Sequence, residues 1–242
     1  MRAAAAREQT PGRRRVRHNE GVIGERLQQV RERIARAAER AGRDPQAITL
    51  VAVSKIKPAA DIVAAYEAGQ RDFGESYVQE FQAKRAELPE LPGARFHLIG
   101  HLQSNKSRIA CENFDTIQTV DSAKLARRLN QQTEKPLDIF FEVKLSEEEA
   151  KHGMAPTEIG AVKEVVGECP NLRLRGLMTM PPWSDDPEAP RPYFRRLREL
   201  AEQHGLAELS MGMSHDLETA IEEGATIVRV GTAIFGKRIK PR

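Results

Sequence analysis

The chain has 242 residues, 40% of them hydrophobic and 30% charged, enough to bury one substantial core but with no apolar run long enough to span a membrane. Its formal charge of +3 is uneven: residues 1–17 hold six arginines against Glu8, a balance of +5, so the rest of the chain sums to −2. Cys111 and Cys169, the two cysteines, are too few for a disulfide framework and lie in no metal-ligand spacing, which is the pattern of a reducing cytoplasm.

In chain order, residues 1–18 are rich in alanine and arginine and lack the apolar core of a secretory signal. They read as a disordered tail ahead of one domain over residues 19–242. Arg13-Arg14-Arg15 is a possible nucleic-acid contact, but without interleaved aromatics it reads as a solvated terminus. Val22, Ile23, Leu27, Val30, Ile34, Ala37 and Ala38 then recur at helical spacing, predicting an amphipathic helix over 20–41 that stops at Gly42. Beyond it, strands are predicted over 48–54, 71–74, 95–100, 116–120, 137–143, 172–178, 208–213 and 227–230. Helices are predicted between them over 59–68, 77–88, 104–111, 122–133, 156–168, 192–204 and 216–223. Such alternation predicts an α/β protein with a single (β/α)8 TIM barrel, the extra N-terminal helix completing the ring. An open doubly wound sheet fits less well, because no Gly-rich nucleotide fingerprint follows the first strand. The Pro-rich segment 181–190 is a loop after the sixth strand, either a lid or a polar excursion.

Two segments bring chemistry. The apolar run beginning at Ile48 ends on Lys55, and a lysine leaving a buried strand can be desolvated below its usual pKa of about 10.4, as imine chemistry requires. A solvated strand-end lysine fits the same spacing. Near the other end, Arg229-Val-Gly-Thr-Ala-Ile-Phe-Gly236 offers glycine backbone N–H groups, the Thr232 hydroxyl and a helix start, a phosphate cradle in principle. A tight turn fits it equally. Barrels often keep phosphate sites after their seventh and eighth strands, where Ser210-Met-Gly-Met-Ser214 and Gly231-Thr232 fall. An imine lysine facing such a cradle points to pyridoxal phosphate. Arg229, one alternation before Gly231, faces the barrel mouth while Val230 packs outward. Opposite a pyridine nitrogen, its permanent charge leaves the ring neutral.

Gly74-Glu-Ser-Tyr-Val-Gln-Glu80 and Ile99-Gly-His-Leu-Gln-Ser-Asn-Lys106 place polar residues between a strand and a helix, with Ser104 a candidate helix cap. His97 and His101 do not share a helical face as zinc ligands do, and no metal motif or hydrolytic triad is found.

Six ordered blocks carry a resemblance that extends from about Gly21 to Arg238. They are Leu50-Val-Ala-Val-Ser-Lys55, Phe73-Gly-Glu-Ser-Tyr-Val-Gln-Glu80, His97-Leu-Ile-Gly-His-Leu-Gln-Ser-Asn-Lys106, Gly176-Leu-Met-Thr-Met180, Leu209-Ser-Met-Gly-Met-Ser214 and residues 228–236. With these the chain resembles the YggS/PROSC-like pyridoxal phosphate homeostasis proteins. The resemblance implies a barrel like the N-terminal domain of alanine racemase and a cofactor held as a Schiff base on Lys55. It also implies Arg229 at the pyridine nitrogen, and Ser210 or Ser214, Gly231 and Thr232 at the phosphate. Ser76 stands where the family usually has Asn, which weakens a contact to the cofactor ring. Lys144 replaces another common Asn, as a competing amine or as a salt-bridge partner of Glu142 or Glu147. The implied function is vitamin B6 homeostasis: a cytoplasmic monomer that delivers pyridoxal 5'-phosphate by transimination, with PLP-dependent apoenzymes as recipients and no established turnover.

The alternative is a racemase-like enzyme using Lys55 and a second base, with His101 and Tyr77 as weak candidates. A sugar-phosphate aldolase with a lysine imine and a nucleic-acid module built on the tail are more distant readings.

Overall fold

The computed structural model describes residues 11–146 and 152–237. Strands β1 (Thr49–Val53), β2 (Asp72–Glu75), β3 (Arg95–Leu98), β4 (Thr116–Val120), β5 (Leu137–Glu142), β6 (Leu172–Met178), β7 (Glu208–Ser210) and β8 (Ile227–Val230) close into a barrel in chain order. All eight pairings are parallel, β8 returning to β1 with Val51 opposite Arg229. Helix α1 (Pro11–Arg40) precedes the barrel. Between the strands lie α2 (Ala59–Glu67), α3 (Val78–Arg85), α4 (Ser107–Asn113), α5 (Ala123–Gln132), α6 (Ile159–Gly167), α7 (Arg191–Gln203) and α8 (Leu217–Glu222). The expected barrel is therefore the observed one.

Helix α1 begins nine residues before the expected start. It takes in residues 11–18 of the segment read as a disordered tail; residues 1–10 lie outside the described residues. Proline is well placed at a first helical position, and arginine is a good helix former, a propensity that a search for apolar periodicity does not register. Ile23, Leu27, Val30, Ile34, Ala37 and Ala38 of α1 are buried, and the helix packs against α2, α8 and a short α9 (Thr232–Phe235). It thus covers the gap where β8 meets β1, completing the ring as the sequence suggests.

Alternation along each strand divides the apolar residues in two. Outward residues such as Phe73, Phe96, Ile117, Phe141, Leu177, Val228 and Val230 join the helices in the main core. Val51, Phe140, Met178 and Ile227 form a separate cluster, as inward residues of a packed barrel should. Phe81 of α3 lies 4.7 Å from Phe96 and 4.8 Å from Phe114, ring centre to ring centre, fixing α3 against the barrel. Register shifts in β4 against β5, between Ile117 and Val120, and in β5 against β6, between Ile139 and Phe140, re-aim the inward residues that follow. Among the described residues, no helix is long and apolar enough to cross a membrane.

Candidate functional site at the C-terminal mouth

Lys55 sits in the turn that follows β1, and both of its neighbours are clamped. Lys84 Nζ donates to the Ser54 carbonyl at 3.0 Å and to Glu75 Oε1 at 2.7 Å, and the Ser54 hydroxyl donates to the same Glu75 oxygen at 2.8 Å. Glu80 Oε1 lies 3.0 Å from Lys84 Nζ and accepts the Ile56 N–H at 2.7 Å. The Lys84 and Glu75 side chains are 7% and 0% exposed, and burial pushes the Glu75 carboxyl up despite the opposing pull of Lys84. Ile56 has φ +60, a left-handed conformation that a β-branched residue adopts only when its surroundings impose it. Lys57 Nζ then donates to the Phe235 carbonyl at 2.8 Å, tying the turn to α9. Of the block 74–80, Glu75 and Glu80 belong to this clamp.

Arg229 projects into the barrel and is 3% exposed. Its Nη2 donates to the Thr179 carbonyl at 3.0 Å and its Nη1 to Ser210 Oγ at 2.7 Å. Ser210 Oγ donates to Gln118 Oε1 at 2.6 Å, and Gln118 Nε2 lies 3.1 Å from His97 Nδ1. His97 Nε2 completes the chain at Asp72 Oδ1, 3.0 Å away, where Arg95 also pairs at 2.8 Å. The Gln118 amide makes His97 Nδ1 an acceptor, so Nε2 holds the proton and donates to Asp72. Five inward side chains from β8, β7, β4, β3 and β2 thus form one hydrogen-bonded chain across the barrel. Burial pulls Arg229 down to about 10, opposed by Asp216 and Glu142, so it stays charged at neutral pH. The two bonds use two of its five N–H donors, and a ligand above it can take another.

At the rim, Gly231 precedes α9, and Ser214 Oγ accepts the Ala233 N–H at 3.4 Å. Thr232 is exposed there. Gly231 has φ −114, so positive φ is not what this position needs. Gly212 does need glycine: its φ is +87, and a side chain would put its Cβ only 2.5 Å from that of Ala220. The structure therefore brings Ser214, Gly231 and Thr232 together, while Ser210 lies beneath them with its hydroxyl engaged by Arg229 and Gln118. Ser76 is buried in the turn after β2, its carbonyl so close to Gly100 that a Cβ there would come within 2.2 Å. Ser104 opens a one-turn helix before α4 and accepts the Ser107 hydroxyl through its carbonyl at 2.7 Å; its side chain caps nothing.

Glu142, at the end of β5, is 3% exposed, and its Oε2 has no hydrogen-bond partner. Burial pushes its carboxyl up to about 7, Asp121 acting in the same direction and Arg229 against it. Among the described residues no ion pair joins it to Lys144, and Glu147 lies outside them. His101 stacks on His152 with ring centres 3.7 Å apart, Asp121 lying 3.7 Å from its Nδ1; burial lowers the His101 pKa. Tyr77 is exposed at the start of α3. Among the described residues, no group of three or more His, Cys, Asp or Glu is placed to hold a metal ion.

Sequence reasoning does not single out Lys84, Gln118, Thr179 or Glu142 as site residues. Lys84 carries a signal: it shares the buried face of α3 with Val78 and Phe81, where a lysine needs a partner. Gln118 and Glu142 carry a weaker one, as large polar residues inside or at the end of a buried strand.

A closed parallel barrel with a lysine after β1, an arginine inside β8 and a glycine-led helix start at its rim defines the alanine racemase N-terminal type. The family model described as "Alanine racemase, N-terminal domain" matches residues 26–239. The chain belongs to that family, in its pyridoxal phosphate homeostasis protein branch. It is 49% identical to the pyridoxal phosphate homeostasis protein of Pseudomonas aeruginosa, over 90% of this chain and 96% of that one. With the protein of the same name from Escherichia coli K12 it shares 45%, over 89% and 97%. The solved structure of PipY from Synechococcus elongatus with PLP bound is 41% identical, with a TM-score of 0.77 over 88% of this chain and 100% of that one. Alanine racemase from Corynebacterium glutamicum, at 18% identity and a TM-score of 0.68, shares the fold over 90% of this chain and 62% of its own.

Proposed function

We propose that this protein holds pyridoxal 5'-phosphate at the C-terminal mouth of its barrel and serves vitamin B6 homeostasis by handing the cofactor on. The observation that carries the reading is that β1 pairs with β8, so Lys55 and the Gly231-Thr232 start of α9 follow neighbouring strands on one rim. The donor set suits the group: an amine, a hydroxyl and helix-start N–H groups for a phosphate, and a buried guanidinium below. Lys55 Nζ is the amine that holds the cofactor, which when bound supplies an aldehyde that exchanges between amines. Ser214, Gly231 and Thr232 hold the phosphate, and Ser76 lines the ring side. Arg229 faces the pyridine nitrogen as a donor that keeps its proton, with Ser210 fixing its orientation.

We read the protein as a cytoplasmic monomer that delivers cofactor to PLP-dependent apoenzymes. Ile56, Tyr77, Met180 and Trp183 are exposed on loops after β1, β2 and β6, giving an approaching apoenzyme apolar contact beside the cofactor. Both cysteines are free and buried, which suits a reducing compartment.

Borohydride reduction after adding pyridoxal phosphate, followed by peptide mapping, tests the reading. The label is expected on Lys55, with the visible absorbance band lost in Lys55→Ala. A wild-type protein without band or label would overturn it.

A further inference from the structure

Helix α1 reaches the rim that carries the phosphate site proposed above. Its arginines at 26, 33 and 40 recur every seven residues and so lie along one side of the helix. Arg40 pairs with Glu222 at the end of α8, 3.2 Å away, and Arg26 lies beside Gly236, just past α9. Arg33, between them, meets the loop that leads from β7 to α8. Its Nε and Nη2 donate to Glu218 Oε1 and Oε2 at 2.7 and 2.8 Å, and Nη2 also donates to the Ser214 carbonyl at 3.0 Å. Burial pushes the Glu218 carboxyl up, but the hydrogen bonds from Arg33 hold it below its ordinary value, so the pair is ionised at neutral pH. The other end of the same serine is at the rim, where Ser214 Oγ accepts the Ala233 N–H of α9 at 3.4 Å.

We propose that Arg33 is a positioning residue of the phosphate site, acting through Ser214 to set the affinity for a ligand's phosphate group. This role rests on the function proposed above for its natural ligand, pyridoxal phosphate. Strand β7 ends at Ser210, and Ser214 lies in neither strand nor helix, so no ladder aims its hydroxyl. The Arg229 N–H donates to the Gly212 carbonyl at 2.9 Å, and the Met213 N–H to Asp216 Oδ1 at 2.6 Å. These bonds fix the flanks of the loop. Arg33 fixes the peptide of Ser214 itself, and turning that peptide re-aims the hydroxyl offered to a phosphate oxygen. Glu218 already matches the charge of Arg33, so the guanidinium contributes position rather than attraction.

Titrations of the visible absorbance band with pyridoxal phosphate and with pyridoxal, which lacks only the phosphate, test the role, with Lys55→Ala as the blank. Arg33→Met is expected to lose about tenfold in affinity for pyridoxal phosphate while pyridoxal stays within about twofold of the wild type. Equal weakening of both ligands, or unchanged affinity for pyridoxal phosphate, would overturn the proposal. Should Arg33→Met misfold by circular dichroism, Glu218→Gln decides, because a single acceptor oxygen holds the guanidinium less firmly. A loss of about threefold confined to pyridoxal phosphate is then expected, and no such loss overturns the role. Inorganic phosphate, titrated by calorimetry into the wild type and Arg33→Met, separates this role from the function. Phosphate binding that weakens in the variant, with no band in the wild type, keeps the role of Arg33 and removes pyridoxal phosphate as the ligand. A band whose dependence on the phosphate is the same in both proteins does the reverse, and neither band nor Arg33-dependent phosphate binding removes both.

Discussion

Glu142 and Ile56 each occupy a state that their chemistry disfavours, and each gives a measurable consequence. The Glu142 carboxyl keeps its proton in the folded protein up to about 7, against an ordinary value of 4.5. Between those values the folded state binds more protons than the unfolded one, so this group makes stability fall as pH rises through the interval. The full effect is at most about 3 kcal/mol. Urea unfolding from pH 4.5 to 8 should show that slope in the wild type and a flatter profile in Glu142→Gln. Ile56, at φ +60 with a branched Cβ, costs the fold more than glycine would. Ile56→Gly should raise the unfolding free energy by about 0.5–1 kcal/mol, the relief of strain outweighing the greater entropy of glycine in the unfolded chain.

Helix α3 does more than flank the barrel, because its Lys84 and Glu80 hold the residues on both sides of Lys55. Lys84→Met removes the counterion of the buried Glu75, which must then be buried unpaired or take up a proton, and this should cost up to about 3–5 kcal/mol in urea unfolding; adding Glu75→Leu should recover much of that loss. Periodicity locates α3, since Val78 and Phe81 mark its buried face, but it does not reveal that the lysine one turn later reaches back to β1. That contact spans 30 residues and exists only once the barrel has closed. Strand ends escape the sequence for a similar reason. The apolar run predicted over 208–213 stops at Ser210 in the structure, where Gly212 turns the chain at φ +87 against Ala220. The start of α1 is hidden because the arginines at 13–15 and 17 favour helix without marking an apolar face.

Across the whole molecule, the order of eight strands is legible because parallel strands buried on both faces leave apolar runs that helices separate. Lys55, Arg229 and the Gly231 region can be picked out because each stands at a strand end or inside a strand with unusual chemistry. The links between distant strands are not legible, since Asp72, His97, Gln118, Ser210 and Arg229 come from five of them and meet only in the barrel interior. Their hydrogen bonds all run in one sense, from the guanidinium toward the carboxylate. Such a chain does not behave as a set of separable pairs: the group at either end sets which way each middle dipole must point. Asp72→Asn and Ser210→Ala, separated by His97 and Gln118, should therefore fail to be additive in a double-mutant cycle. Their interaction energy is expected at about 0.5–3 kcal/mol, whereas independent sites would sum within about 0.5 kcal/mol. The two ends of this hydrogen-bonded chain, on β2 and β8, would then be thermodynamic neighbours, although three side chains lie between them.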